Sequence, residues 1–567
     1  MAALVVPGVR VETLFDVLPP LPAPSGIIGA VGVVDRPPSN GGLIAVSKVT
    51  ELRQLLGPGS LISMREVVHA LSNGASEAVI APVSGGSPAS LSLLNIDSNA
   101  AVLLKCRFNR SWGTRLHAEV RNILDANNNV VRVALDLLID GKLEENFTDL
   151  RVAPGQPDDL FDTLNRSSRL VVAIDPGHAE AMPQADTYVF SDIDTVREVN
   201  KDGNAAVKVF QLLPREEVNP NGLRVQIILN ASKTKIQVKV FRGSALQEEF
   251  SDLVMNPDDD KHLPFVLQTQ SQLVQVRAIS SLAANKQLPV ATNGPVPFID
   301  GTSPSVQNYR DAVDLLVDDP RIDLVFASVE PNRNASEVHQ IHQALVAHAV
   351  KMADDGAPRI AFGSVTPNEA KDLNQIKDHA AAIRNRRFVL IAPPGAEGLV
   401  AGMIGRMNPQ ESPTFKTVPL QGLAPSSFRE SELNRLLGAT INLLVVQERA
   451  GRGVVVLRGL DTTGDQISVT RVADQAIRET KAIAEGFIGR LNSQEARVAL
   501  KEQIVATFTR MERAGALVPS TDGSDPAFTV DVYSTQQDFA QGIVRIDIAV
   551  RPVRAIDFIY ATIRVKI

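Results

Sequence analysis

From Val544 to the last residue the chain alternates apolar and polar side chains, and this pattern limits what the protein can be. Val544, Ile546, Ile548 and Val550 fall at every second position, with Arg545, Asp547 and Arg551 between or just beyond them. After a break at Pro552 the alternation resumes as Ile559, Ala561, Ile563, Val565 and Ile567, with Tyr560, Thr562, Arg564 and Lys566 opposite. A period of two over this length predicts half-buried β-strand. No partner for these strands is evident within the chain, and no helix or loop is left to cover the last edge. An apolar strand without a partner is a liability unless another molecule's sheet receives it. The pattern therefore predicts a polymer subunit.

The other end repeats the design. The segment from Val5 holds the turn dipeptide Pro7-Gly8 and then a short strand with Val9 and Val11, and Pro19, Pro20, Pro22 and Pro24 follow as a stiff spacer. Both ends read as β-arms that reach away from their own body.

Between the arms, 567 residues with 44% hydrophobic content suffice for three to four domains with packed cores. Lys and Arg number 57 against 64 Asp and Glu, mixed along the chain, which argues against a general nucleic-acid or anionic-membrane surface. The single cysteine, Cys106, excludes an internal disulfide and fits a reducing compartment. The N-terminus lacks the basic and apolar regions of a signal peptide, and no apolar run approaches the ~18 residues of a membrane span.

Residues 25–95 read as buried strands (IIGAVGVV, AVIAPV) around two short helices. Residues 96–290 are dominated by alternating strands, with a weak internal echo. Gly113-Thr-Arg115-Leu116 leads through Val131-Arg132-Val133 and Gly141 to Glu145-Asn-Phe147-Thr-Asp149-Leu150. Gly222-Leu-Arg224-Val225 leads through Ile236-Gln-Val238 and Gly243 to Glu249-Phe250-Ser-Asp252-Leu253. One β-unit used twice explains the echo; chance likeness between β-segments is the alternative. Residues 291–405 alternate helix and strand, which predicts a parallel α/β sheet. Farther on, Val472 to Leu491 and Gln494 to Ala514 are strong helices, the second capped by Ser493 and ended by Gly515.

Catalytic signatures are weak. Gly26, Gly29 and Gly32 are spaced GxxGxxG, which suits a close-packed strand better than a dinucleotide loop. His339, His342 and Glu337 share a helix, but a metal site needs a further ligand and an open position. Asp175, Glu180 and the run Asp258-Asp259-Asp260 read as loop residues. No catalytic, cofactor-binding or metal-binding residue is assigned, and no cofactor is expected.

The ordered set of motifs resembles the contractile tail sheath family of phages, R-type bacteriocins and related injection systems. Pro7-Gly8-Val9-Arg10-Val11-Glu12 is similar to that family's PGVYVEE-type arm. Trp112-Gly113-Thr114-Arg115-Leu116 resembles a WGNxLxV-type motif, and Asn293 to Gly301 its GGxDG turn. Glu432 to Asn442 and Gly451 to Thr462 resemble LxxxGIN…GxGxxVWGxRTL, with departures at Leu457, usually tryptophan, and Asp461, commonly arginine.

The resemblance implies a mixed, multidomain α/β and β protein whose α+β core is formed by its N- and C-terminal parts. The expected division is 1–24 arm and linker, 25–95 first core part, 96–290 β-rich insertion, 291–405 α/β insertion, 406–541 second core part with two long helices, and 542–567 C-terminal arm. It also implies hexameric rings of this chain stacked around an inner tube, contraction without nucleotide, and baseplate and tail-terminator or cap proteins as further partners. Nucleic acid and direct membrane insertion are not expected. Assembly in the bacterial cytoplasm would precede incorporation into a virion tail or released particle. Arg490, Arg497 and Lys501 are candidate tube-facing charges, against the alternative of a solvated helix face. A β-rich coat or adhesin protein, or an α/β hydrolase-like enzyme, are the competing readings.

Overall fold

The computed structural model describes residues 26–38, 40–96, 98, 100–128, 130–151, 158–175, 186–189, 194–197, 208–215, 218–278, 293–420 and 422–558. Its centre is an eight-stranded sheet in the order Ile44–Val46, Glu77–Pro82, Ile27–Gly32, Leu324–Ala327, Ile360–Ser364, Phe388–Ala392, Leu444–Arg449, Gly453–Val456. The strands from Glu77–Pro82 to Leu444–Arg449 run parallel, and the outermost strand at each side is antiparallel. IIGAVG, LVFA and FVLIA are buried throughout because helices cover both faces of a parallel sheet.

This arrangement corrects the expected separation of an α/β insertion at 291–405 from the first core part at 25–95. Ile28 lies in register with Leu324 and Val31 with Ala327, so strands from both segments form one continuous sheet. Strands that are apolar on both faces gain most by lying side by side under shared helices, and the sheet brings together pieces about 300 residues apart in sequence.

Glycines set the closest packing. A Cβ on Gly398 would fall 1.9 Å from the Glu66 carbonyl oxygen, and one on Gly402 would fall 2.4 Å from that of Ala70. The helix Glu397–Arg406 thus rests backbone to backbone on Arg65–Ser72. Gly26 faces the Gly405 backbone, Gly29 the Ile322 side chain and Gly32 the Met64 side chain, so close packing accounts for the glycine spacing at 26, 29 and 32.

The echo in the β-rich insertion is a structural duplication. In the first copy, Leu116–Leu124, Val130–Ile139 and Lys142–Leu150 form a meander, followed by the helix Leu160–Ser167 and the strand Val171–Ile174. In the second, Leu223–Leu229, Ile236–Arg242 and Ala245–Leu253 are followed by Leu263–Gln270 and Val274–Ala278. The buried polar groups repeat as well. Arg107 donates to the carbonyls of Ser168, Leu164 and Asn165, and Arg215 to those of Ser271, Leu267 and Gln268. Ser168 Oγ donates to Glu145 and Ser271 Oγ to Glu248. Glu248, rather than the neighbouring Glu249, is therefore the counterpart of Glu145. Asp149 and Asp252 both take a positive φ, at 63° and 59°.

Residues 468–558, with 409–411, make a second compact unit. Two helices, Ile467–Glu485 and Gln494–Arg513, pack through Val472, Ala476, Ile483, Leu500, Ile504 and Phe508. Ser493 caps the second helix by accepting from the Ala496 N–H, as its sequence position predicts.

Candidate assembly site

Ile546, Ile548 and Val550 do have a strand partner within the chain, and Val544 packs on the same core, which corrects the first expectation drawn from the sequence. The strand Arg545–Val550 pairs antiparallel with Phe528–Tyr533, in register Phe528 with Val550, Val530 with Ile548 and Val532 with Ile546. The partner, FTVDVY, carries the same alternation over only six residues. Six residues make a weak signal, and the register becomes evident only when both apolar faces find one helix.

Phe528, Val530 and Val532 join Val544, Ile546, Ile548 and Val550 in covering Leu500, Ile504, Phe508 and Met511. Phe508 and Phe528 meet edge to face at 5.6 Å. An isolated two-stranded ribbon is marginal in water, so this helix provides its support. The connection is pinned by Arg545, which donates two hydrogen bonds of 2.8 Å to Asp538. Those bonds and one from Thr535 hold the Asp538 carboxyl below the usual range. Beyond Val550 the chain continues alongside 516–518, with Val553 N–H donating to Ala516 and Val518 N–H to Arg551.

Among the described residues the ribbon has two strands, and no third strand pairs with either outer edge. Ile556 and Phe558 are 78% and 61% exposed. Val5, Val9, Val11, Ile559, Ile563, Val565 and Ile567 lie outside the described residues.

The candidate tube-facing charges belong to this same unit. Arg490 lies over the Phe487 ring at 4.4 Å, on a connection where Ile488 and Leu491 are more than four-fifths exposed. Arg497 donates to Asn492, and Lys501 pairs with Asp531 at 3.3 Å. Such exposed pairs are worth about 0–1 kcal/mol.

In the larger unit, a cavity of about 490 Å³ opens at the carboxyl ends of the parallel strands, lined by Val33, Ser328, Ser364 and Gly395 among others. Glu397 is buried there beside the half-buried Glu66, and burial followed by repulsion from Glu66 pushes the Glu397 carboxyl up to about 8. His339, Glu369 and His379 also come together in this unit. The acidic turn at 258–260 contributes the Asp259 carbonyl to Lys105, at 3.0 Å. Asp461, at the departure from the arginine-bearing motif, folds a local turn by accepting from the backbone N–H groups of Thr463, Gly464 and Asp465. Trp112, from the motif within the insertion, and Asp300, from the motif just after it, meet through a hydrogen bond from the Trp112 N–H at 2.5 Å. No helix among the described residues is long and apolar enough to cross a membrane.

The C-terminal unit is thus a helix pair supporting a two-stranded ribbon. Residues 461–566 match the family model of the phage tail sheath C-terminal domain. Comparison with curated protein sequences finds no match. Among solved structures, a sheath tail protein from Desulfitobacterium hafniense is 13% identical, with 97% of each chain covered and a TM-score of 0.46. One from Listeria innocua is 10% identical, with 94% of this chain and 93% of that chain covered and a TM-score of 0.44. The anti-feeding prophage helical sheath in its contracted state is 19% identical over 45% of this chain and 74% of its own, with a TM-score of 0.36.

Proposed function

We propose that this chain is the subunit of a contractile tail sheath and that its C-terminal ribbon receives strands from neighbouring subunits. The observation that carries this reading is the ribbon with two unpaired outer edges among the described residues, in the stretch matching the sheath domain. The segments 5–11 and 559–567 carry the alternation of strands that could complete it. Each added backbone hydrogen bond is worth about 0.5–1.5 kcal/mol net, and such bonds do not depend on side-chain identity.

Strand addition keeps neighbours connected while their bodies rotate. Six subunits would make a ring, and rings would stack around an inner tube between a baseplate and a terminator or cap. Contraction would require no nucleotide: an extended lattice relaxes to one with more apolar contact, at about 25 cal/mol per Å² buried, and drives the tube through a target envelope. Assembly would take place in the bacterial cytoplasm, before use in a virion tail or released particle. Arg490, Arg497 and Lys501 would hold the tube through weak, re-formable contacts. Charge reversals there that leave tube decoration unchanged would remove that part of the reading.

Electron microscopy of the purified protein tests the whole. Hollow helical tubes of fixed bore are expected from the full chain, and soluble, folded monomers from chains lacking residues 1–18 or 556–567. Normal tubes from either truncation would falsify the role given to the arms.

A further inference from the structure

The geometry points to a metal site of the zinc class formed by His339, Glu369 and His379. The three come from separate elements of the larger unit. His339 lies on the helix Ala335–Asp354, Glu369 on the 3₁₀ turn Glu369–Lys371, and His379 on the helix Leu373–Ala382. One donor atom from each lies within 4.8 Å of the other two. His339 Nε2 is 2.6 Å from Glu369 Oε1, and His379 Nδ1 is 3.2 Å from Glu369 Oε2. A tetrahedral zinc ion with bonds of about 2.0–2.2 Å holds its donors roughly 3.3–3.5 Å apart, so modest opening of the His339 pair admits it.

The surroundings are those of a held ligand set. Metal-bound histidines commonly engage their second ring nitrogen in a further hydrogen bond, and that of His379 is 2.9 Å from His342 Nδ1. Glu369 Oε2 accepts the Thr366 N–H at 2.8 Å, and the Glu369 N–H returns a bond to Thr366 Oγ1 at 3.2 Å. Glu369 and His379 are buried, whereas the His339 side chain is 22% exposed and gives an ion its approach from solvent. Two imidazoles and one carboxylate suit zinc or a neighbouring divalent transition metal better than calcium or magnesium, which favour oxygen ligands. Water would take the fourth position. A bound ion would tie the long helix to the segment 366–382.

The test uses the full chain, purified without a histidine tag and equilibrated with zinc chloride alone. The expected result is one zinc per chain after gel filtration, and visible d–d bands of a four-coordinate ion when cobalt replaces zinc. His339→Gln, which removes the most exposed ligand, should keep the native circular dichroism and weaken zinc binding at least about tenfold. Its cobalt bands should also disappear. His342→Gln should weaken binding to a smaller degree, and His117→Gln, on a strand elsewhere, should not change it. Absence of stoichiometric zinc, or equal affinity in the parent and His339→Gln, would overturn the assignment.

Discussion

Asp531 stands directly across the C-terminal ribbon from Asp547, on the exposed face, while Val530 and Ile548 beside them face the helix. Two carboxylates opposite each other disfavour the pair, a repulsion that the exposed Lys501 beside Asp531 offsets only in part. The 559–567 segment carries Arg564 and Lys566 on its polar side, the charge that would relieve this repulsion if a neighbour's strand joined the ribbon. Asp547→Lys should therefore slightly raise the melting temperature of the unassembled subunit and lower the yield of tubes. Thermal melts and tube counts by electron microscopy check the two effects separately.

The apolar side of the ribbon should be less tolerant. Ile548→Asp puts a carboxylate against Ile504 and Phe508, at a cost of roughly 2–3 kcal/mol. The ribbon should then open before the helices, seen as fast hydrogen exchange at 528–533 and 545–550, with tube formation lost.

Each copy of the duplicated β-unit should depend on its buried arginine. Arg215→Ala leaves the carbonyls of Ser271, Leu267 and Gln268 without their donor, a loss of about 3 kcal/mol or more. Limited proteolysis should cut first within 208–278 in this variant, and within 100–175 in Arg107→Ala. Identical patterns from the two would count against copies that are stabilised separately.

Gly398→Ala should be among the most damaging small substitutions. Its methyl group meets a backbone oxygen at 1.9 Å, and no rotamer change relieves that contact. Destabilisation of about 3 kcal/mol is expected, against a much smaller effect for Gly42→Ala, whose backbone has no positive φ and whose added Cβ meets only the Asn40 side chain, at 3.3 Å. Chemical denaturation of the two variants side by side provides the measurement.

Stability should depend on pH through His348. Its Nε2 lies 2.6 Å from the Arg359 guanidinium, so it accepts a hydrogen bond and stays neutral; burial and then Arg359 lower it to about 3. Because the folded value is below the unfolded value of about 6.5, the unfolded state binds the extra proton as pH falls and stability drops with it. Glu397, raised to about 8, contributes the opposite slope over the same range, so the informative quantity is a difference. Between pH 7 and 5.5 the parent should lose about 1 kcal/mol more than His348→Gln. Equal losses would show that the histidine is not held neutral.

Much of the local architecture is legible in the amino-acid order. The strand Phe388–Ala392, the helix from Gln494 and the Ser493 cap follow from apolar runs, periodicity and capping chemistry, all set by near neighbours. The repeat from 113 to 253 is visible because two copies of one unit place glycine, aspartate and phenylalanine at matching positions.

Three relationships were decided only by the folded chain. Strands near residue 30 and residue 325 share a sheet, because any of the apolar parallel strands is a suitable neighbour in sequence terms and only shared helix cover selects among them. FTVDVY meets Arg545–Val550 because a six-residue alternation gains its meaning from the helix beneath it. His339 meets Glu369 and His379 because helix packing, rather than spacing along the chain, brings their side chains together. Local patterns fix elements through short-range sterics and burial period. Their pairing is selected by the joint burial of surfaces far apart in sequence, and that is where the open ribbon and the candidate metal site arise.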